Sequence, residues 1–423
     1  MGLYELLVIA RRRLRLLSEG ACLCALAGVG SAVNIIDGLL GGSPDVYKDA
    51  RLDPIGLIKK WGYPAERHHV TTEDGYILEI DRIPHGLSEI DQGQTRTPVL
   101  CVHGVVSSAA DYVINNPQES PGFLLADAGF DVWLINTRGT PYSNHHETLT
   151  TKDREFWEWS FDQIGRYDLA ATIDFIISKT GFGEISLLTW SQGFTVTVVL
   201  LSTRLEYNDK VNLVVGMAPV ANITHIQTPI TLLGPFAEPI AGFINIFTKG
   251  GLLTSSQLTQ TVIGAACNNV LRGLCFLPIN IVVGASQEQL NTTRIPVYIA
   301  HMPAGTSTQN IVHYTQMYRA KNFIMYDYGK ERNMDLYGQD TPPEYPLEEI
   351  GTSIALFTGQ GDRFADPKDV QNLRSRLQSI VFDYQLPQKN FNHLDFVIGD
   401  DATLMLHKPV IELIQGYNND NVV

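Results

Sequence analysis

The sequence predicts an α/β fold: a mostly parallel central sheet with helices on both faces. Two observations carry this. Short apolar runs recur along the chain: Pro98–Val102, Phe130–Ile135, Ile185–Thr189, Val211–Met217 and Ile354–Thr358. Helix-like segments fall between them, at Phe123–Ala128, Arg166–Ile177 and Thr195–Arg204. Strands that alternate with helices form parallel sheets covered by those helices. A chain of 423 residues, 44% hydrophobic, has enough apolar surface for one large domain with insertions or for two domains.

The elements follow in order. Arg11-Arg12-Arg13-Leu14-Arg15 precedes the apolar run Ala21–Val33. A basic stretch, a short apolar run and small residues make a secretory leader pattern over residues 1–33. The apolar run is short for a membrane span, and an uncleaved anchor is the other reading. Residues 41–60 read as a surface connection into a short helix. Tyr76–Ile80 and Pro98–Val102 read as strands, with SEIDQGQT as the polar loop between them.

One block breaks the rhythm. Residues 225–290 contain TPITLLGPFAEPIAGFINIFTKGG, with little charge, between two strands of the inferred sheet. The block is too long for a simple connection and reads as an inserted helical cap or lid. The division is then a core over 34–224, the cap, and a second core part over 291–423.

Charge narrows the function. The net charge is −14 and the isoelectric point about 5.2. Phosphate backbones call for a basic face, so nucleic acid is excluded as a partner. His68-His69 and His145-His146 are adjacent pairs, which point apart on regular elements, and no metal-ligand spacing occurs. In an oxidising compartment Cys101 reads as a buried thiol. Cys267 and Cys275 read as a small disulfide loop or as two unpaired cysteines. Asn222 and Asn291 head N-x-T tripeptides and are glycosylation acceptors in a secreted chain.

Chemistry centres on Thr189-Trp190-Ser191-Gln192-Gly193. A strand precedes Ser191 and a helix follows it, the context of a nucleophile elbow. The strict G-x-S-x-G pattern fails at Thr189, which is short but β-branched. The segment alone reads as a nucleophile in a tight turn or as a buried structural serine. A serine hydroxyl needs a base, and the base needs an orienting carboxylate. Asp362 lies in Gly359-Gln360-Gly361-Asp362, just past a strand, where a site residue belongs. Asp366-Pro367 reads instead as a helix N-cap. After Asp362 only His393 and His407 can serve as base. His393 sits in a loop and His407 in a helical segment, so the expected triad is Ser191, Asp362 and His393. The oxyanion would take the backbone amides of Gln192, after the nucleophile, and Val105, in the loop after Val99–Val102. His103 is then structural.

At this point the chain resembles the acid lipases, the family of lysosomal acid lipase and gastric lipase. The resemblance spans most of residues 50–415. It is carried by Trp61–Gly86, VHGVVSS (Val102–Ser108), Phe156–Ile176, HMPAGTSTQN (His301–Asn310), GDRFADPKDV (Gly361–Val370) and NHLDF (Asn392–Phe396). It implies an α/β-hydrolase core with a cap, hydrolysis of triacylglycerols or cholesteryl esters, and a secreted or lysosomal site of action. It points to the same Ser191, Asp362 and His393, with no metal or organic cofactor. The apolar cap is expected to shield acyl chains and open at a lipid surface, so that membrane contact is transient. The family usually carries G-H-S-Q-G at the elbow, so Thr189 and Trp190 are departures. The family's cap cysteines are only partly kept. The rival readings are a carboxylesterase for smaller or wax-type esters and a catalytically weak lipid-binding relative.

Overall fold

The computed structural model of the protein describes residues 44–88, 95–228, 245, 248–254, 284 and 286–420. The expected leader and most of the expected cap, including Cys267 and Cys275, lie outside the described residues.

The main sheet contains β1 (Glu66–Thr71), β2 (Tyr76–Ile83), β3 (Pro98–Val102), β4 (Asp131–Ile135), β6 (Ile185–Trp190), β7 (Val211–Met217), β10 (Ser353–Thr358) and β11 (Ile380–Gln385). They run in the order β1-β2-β4-β3-β6-β7-β10-β11, and the short β5 (His145–His146) pairs with β2. The β1–β2 and β2–β4 pairs are antiparallel; from β4 to β11 every pair is parallel. Every residue of β3, β4 and β6 is buried. Both faces of the sheet centre are therefore covered, as expected for apolar runs of this kind. A second, two-stranded sheet pairs β8 (Gly251–Leu252) with β9 (Thr306–Ser307).

The covering helices include α1 (Pro121–Asp127), α2 (Ala170–Thr180), α3 (Gln192–Thr203), α4 (Thr308–Ala320), α5 (Pro367–Arg376) and α6 (Lys408–Asp420). Several boundaries shift by a few residues, and two shifts at helix starts bear on the site. The segment expected as one helix from Arg166 is a π-helical turn, Ile164–Leu169, running into α2. Ser160 and Gln163 form a capping box that starts it early. Gly165 in the π turn lies so close to α3 that a β-carbon there would stand 2.6 Å from the Val196 oxygen. The other difference is α3, expected from Thr195, which begins directly after Ser191 because the turn at Ser191 takes up the whole change of direction.

The order places β3 at a switch point. The chain moves from β3 to β4 on one side and later to β6 on the other. Ligand sites of open α/β sheets lie at such points, beyond the carboxyl ends of the strands. The loops after β3 and β6 meet there.

Candidate active site

Ser191 closes β6 with φ 55° and ψ −118°, a backbone shape that side-chain-bearing residues rarely adopt. Its amide donates to the Met217 oxygen at 3.1 Å, and its own oxygen accepts from Phe194 at 3.0 Å. Gly193 is obligatory: a β-carbon there would stand 2.1 Å from the Val102 oxygen. Thr189 fits for a local reason. It pairs with Gly216 on β7, and its side chain is fully buried. The Thr189 hydroxyl donates to the Val215 oxygen at 3.0 Å.

The other two expected residues arrive at the same point. Asp362 follows β10, and His393 lies in the turn after β11. His393 Nε2 is 2.8 Å from Ser191 Oγ. His393 Nδ1 is 2.9 Å from both Asp362 oxygens. Asp362 Oδ1 also accepts the amides of Phe364 and Ala365, each at 2.8 Å. An ionised carboxylate only accepts, so Nδ1 carries the proton and Nε2 is free to accept from the serine hydroxyl. All three side chains are buried.

The competitors are engaged elsewhere. Asp366 caps α5 through the Lys368 amide, and Asp369 accepts from the amide and Nδ1 of His225, each at 2.7 Å. His407 is buried against the Phe396 oxygen, and burial lowers its pKa to about 4.

The loop after β3 lies against the elbow. A β-carbon on Gly104 would come within 3.4 Å of the Ser191 β-carbon. His103 accepts the Thr137 amide on Nε2 at 3.2 Å and donates from Nδ1 to the Gly104 oxygen at 2.8 Å. Burial lowers its pKa to about 4, so it is a neutral brace for the Gly104–Val105 turn. Gln192, first residue of α3, is held by its side chain. Its Oε1 accepts from Asn310 Nδ2 at 2.8 Å and from the Tyr314 hydroxyl at 3.2 Å. Sequence reasoning missed both partners. The only signal was that Asn310 ends the family-like stretch HMPAGTSTQN.

The histidine turn is braced in its turn. Asn392 Oδ1 accepts the His393 amide at 2.8 Å, and Asp395 Oδ2 accepts the Asn392 amide at 2.7 Å. Asp395 Oδ1 accepts the Ser286 amide at 3.0 Å, and the Leu394 amide donates to the Gly284 oxygen at 3.2 Å. On the other side, the Gln227 amide donates to the Arg363 oxygen at 2.9 Å and its Nε2 to Asp366 at 2.7 Å. Both described ends of the 225–290 block are thus tied to the loops that carry Asp362 and His393.

Arg138 is buried between Asp168, which accepts from Nε at 2.7 Å, and Asp74, which accepts from Nη1 at 2.6 Å. It supports the loop after β4. Asn222 is 6% exposed, and its Oδ1 accepts from Thr224. Asn291 caps a short 3-10 turn at the surface. Cys101 is a buried free thiol. Among the described residues no cluster could hold a metal ion, and no helix is long and apolar enough to cross a membrane.

Residues 55–116 match the family model described as a partial alpha/beta-hydrolase lipase region, and residues 97–397 match that of the alpha/beta hydrolase fold. Lipase lipl-1 of Caenorhabditis elegans is 36% identical over 377 residues, covering 88% of this chain and 93% of that one. Lipase member K of Homo sapiens is 35% identical, covering 87% and 92%. The gastric triacylglycerol lipase of Bos taurus is 36% identical, covering 86% and 92%. A solved structure of a putative lipase from Sulfolobus solfataricus has a TM-score of 0.52 at 14% identity, over 80% of this chain and 90% of that one, and shares the fold.

Proposed function

The chain belongs to the acid lipase family of α/β hydrolases, and we propose that it cleaves the ester bonds of neutral lipids, triacylglycerols or cholesteryl esters, by acyl transfer through Ser191. The observation that carries this reading is the unbroken relay Ser191–His393–Asp362, at 2.8 and 2.9 Å, beside a strained elbow.

Each residue then has one task. His393 Nε2 takes the Ser191 proton as Oγ attacks the ester carbonyl carbon. The amides of Val105 and Gln192 receive the oxyanion of the tetrahedral intermediate. His393 returns its proton to the departing alcohol. Water, deprotonated by the same imidazole, then frees the fatty acid from the acyl-serine. Asp362 fixes the imidazole tautomer and stabilises its cationic form without taking the proton. Residues 225–290 form the cap that shields acyl chains and meets the lipid surface. Residues 34–224 and 291–423 form the core on which it sits. Residues 1–33 direct the chain into the secretory pathway, toward the lysosome or the outside of the cell. Of the two acceptor tripeptides, half-buried Asn291, followed by exposed Thr292 and Thr293, suits a glycan better than buried Asn222.

The test is fatty-acid release by the full chain, expressed through a secreting eukaryotic cell. The substrates are emulsified triolein, cholesteryl oleate and a short-chain ester, from acid to neutral pH, beside a Ser191→Ala control. Long-chain cleavage that the control lacks supports the proposal. Cleavage of the short ester alone makes the protein a small-ester esterase. Lipid binding without cleavage makes it a carrier.

A further inference from the structure

The residue before the proposed nucleophile is Trp190, where the acid lipases usually have histidine. Its side chain is buried. A buried indole N–H needs a partner, and this one finds the backbone oxygen of His393, at 3.2 Å. The indole also faces the His393 imidazole, with ring centroids 5.4 Å apart and planes inclined at 36°. Phe364, two residues past Asp362, faces that imidazole as well, at 5.2 Å. On a different side, the six-membered ring of Trp190 occupies the space beside Gly104. A β-carbon on Gly104 would stand 2.7 Å from Trp190 Cζ3.

One side chain therefore touches three parts of the machinery. It is bonded in sequence to Ser191, hydrogen-bonded to the backbone of the base, and packed against the loop that leads to the Val105 amide. A tryptophan that only filled the core would satisfy its N–H on any nearby carbonyl. This one uses the carbonyl of the histidine whose ring it faces. Gly104 and Trp190 are mutually committed, since no larger residue fits at 104 while the indole is in place.

We propose that Trp190 is a positioning residue for ester hydrolysis, holding the His393 turn and the Gly104 loop in register with Ser191. The proposal rests on the reading of Ser191 as a nucleophile. It predicts that the indole acts on turnover and on the reactivity of the serine, not on substrate affinity.

The test uses the full chain and five forms: wild type, Trp190→Phe, Trp190→His, Gly104→Ala, and Gly104→Ala combined with Trp190→His. Two rates are read. One is labelling of Ser191 by a fluorophosphonate, in which an Oγ–P bond forms, the P–F bond breaks and fluoride leaves while His393 takes the proton. The other is turnover of a soluble short-chain ester, split into kcat and KM over a pH series. Trp190→Phe keeps an aromatic ring but loses the N–H together with the pyrrole half of the indole. It is expected to slow labelling and kcat about fivefold, the worth of one ordinary hydrogen bond. KM stays unchanged, and the midpoint of the acid limb of the pH profile moves. Gly104→Ala is expected to slow both rates at least tenfold by pushing the indole, and to do so by much less when residue 190 is histidine. Wild-type rates and an unmoved pH midpoint in Trp190→Phe overturn the proposal. So does a Gly104→Ala penalty of equal size in both backgrounds, a comparison that decides the matter even where Trp190→Phe folds poorly. A wild type that labels at Ser191 but cleaves no lipid ester defeats the lipase reading alone, because the labelling rates still judge Trp190.

Discussion

Asn310 donates its side-chain N–H to Gln192 Oε1 at 2.8 Å, so helix α4 fixes the first residue of the helix behind the proposed nucleophile. The same amide group of Asn310 serves two further partners. Its Oδ1 accepts the Phe161 amide at 2.8 Å, and its Nδ2 donates to Thr306 Oγ1 at 3.0 Å. Asn310→Leu strips all three partners inside a buried site. Gln192 keeps the Tyr314 hydroxyl, but the Phe161 amide is left without a partner. At about 1–3 kcal/mol for each orphaned buried group, the expected loss is roughly 3 kcal/mol in urea unfolding. Ester turnover should fall with it, since the Gln192 amide is one of the two proposed oxyanion donors. Unchanged stability in Asn310→Leu would show the network to be idle.

The backbone at Ser191 separates strain from chemistry. Ser191→Ala and Ser191→Gly both remove the hydroxyl, and both should lose ester hydrolysis by several orders of magnitude, to the residual left by binding and the oxyanion donors. Their stabilities should differ. At φ 55° alanine keeps the strain and glycine releases it. A residue held in such a region costs about 1–3 kcal/mol, part of which glycine forfeits through its freer unfolded chain. Ser191→Gly should therefore unfold about 1 kcal/mol later than Ser191→Ala. Equal denaturation midpoints would mean that the elbow stores no strain.

These two cases mark where the sequence is legible. Ser191 and Asp362 could be chosen from local context, because each follows an apolar strand, and His393 because the chain order leaves only it and His407, which sits in a helical segment. The parallel strands were readable for the same reason: their burial leaves continuous apolar runs. The edge strands were not. β1 is ERHHVT, in which only Val70 is buried, and β11 is IVFDYQ, in which no residue is fully buried. Long-range partners were invisible too. Trp190 meets the His393 carbonyl across 203 residues and Gln192 meets Asn310 across 118, and no local pattern announces either pair. The π turn at Ile164–Leu169 escaped because its sequence keeps an ordinary helical periodicity.

Buried ionisable groups set a pH dependence of stability. Burial, followed by the charge of Asp81, pushes Glu79 up to about 8. Burial pushes Asp81 and Asp111 up to about 7, and Asp168 and Asp395 up to about 6. Each of these carboxyls holds its proton in the folded chain at a pH where the unfolded chain has lost it. Their contribution is full below about pH 4 and is lost as pH rises through 6 to 8. The buried His103, His313 and His407, lowered to about 4, act the other way: they favour the fold above about pH 6.5 and cost stability as pH falls toward 4. Above pH 6.5 the carboxyls dominate, and below it the five carboxyls still outnumber the three histidines, so the melting temperature should rise on acidification from pH 8 toward 5, with the histidines offsetting part of the gain below 6.5. Asp111→Asn should flatten part of this rise. A melting temperature that instead climbs steadily from pH 5 to 8 would contradict the assignment.

Restoring the family's glycine at the elbow should not improve the protein. The strict pattern asks for glycine two residues before the nucleophile because the turn is crowded there. In this chain Thr189 pairs with Gly216 on the neighbouring strand, where a β-carbon would stand 2.6 Å from the Phe194 ring, so the elbow packs through Phe194 with threonine in place. The threonine is fully buried, and its hydroxyl has a partner in the Val215 oxygen. Thr189→Gly would remove a buried methyl, a hydrogen bond and the β-branched preference for a strand, at a cost of roughly 2 kcal/mol. It would add no donor or base to the site. Denaturation should therefore shift to lower urea, while kcat for a soluble ester stays within about twofold of wild type, well under the 1.4 kcal/mol that a factor of ten represents. A large gain in kcat would mean that Thr189 holds the elbow away from its working shape, and that the departure from G-x-S-x-G marks a weakened enzyme rather than an alternative way of building the same turn.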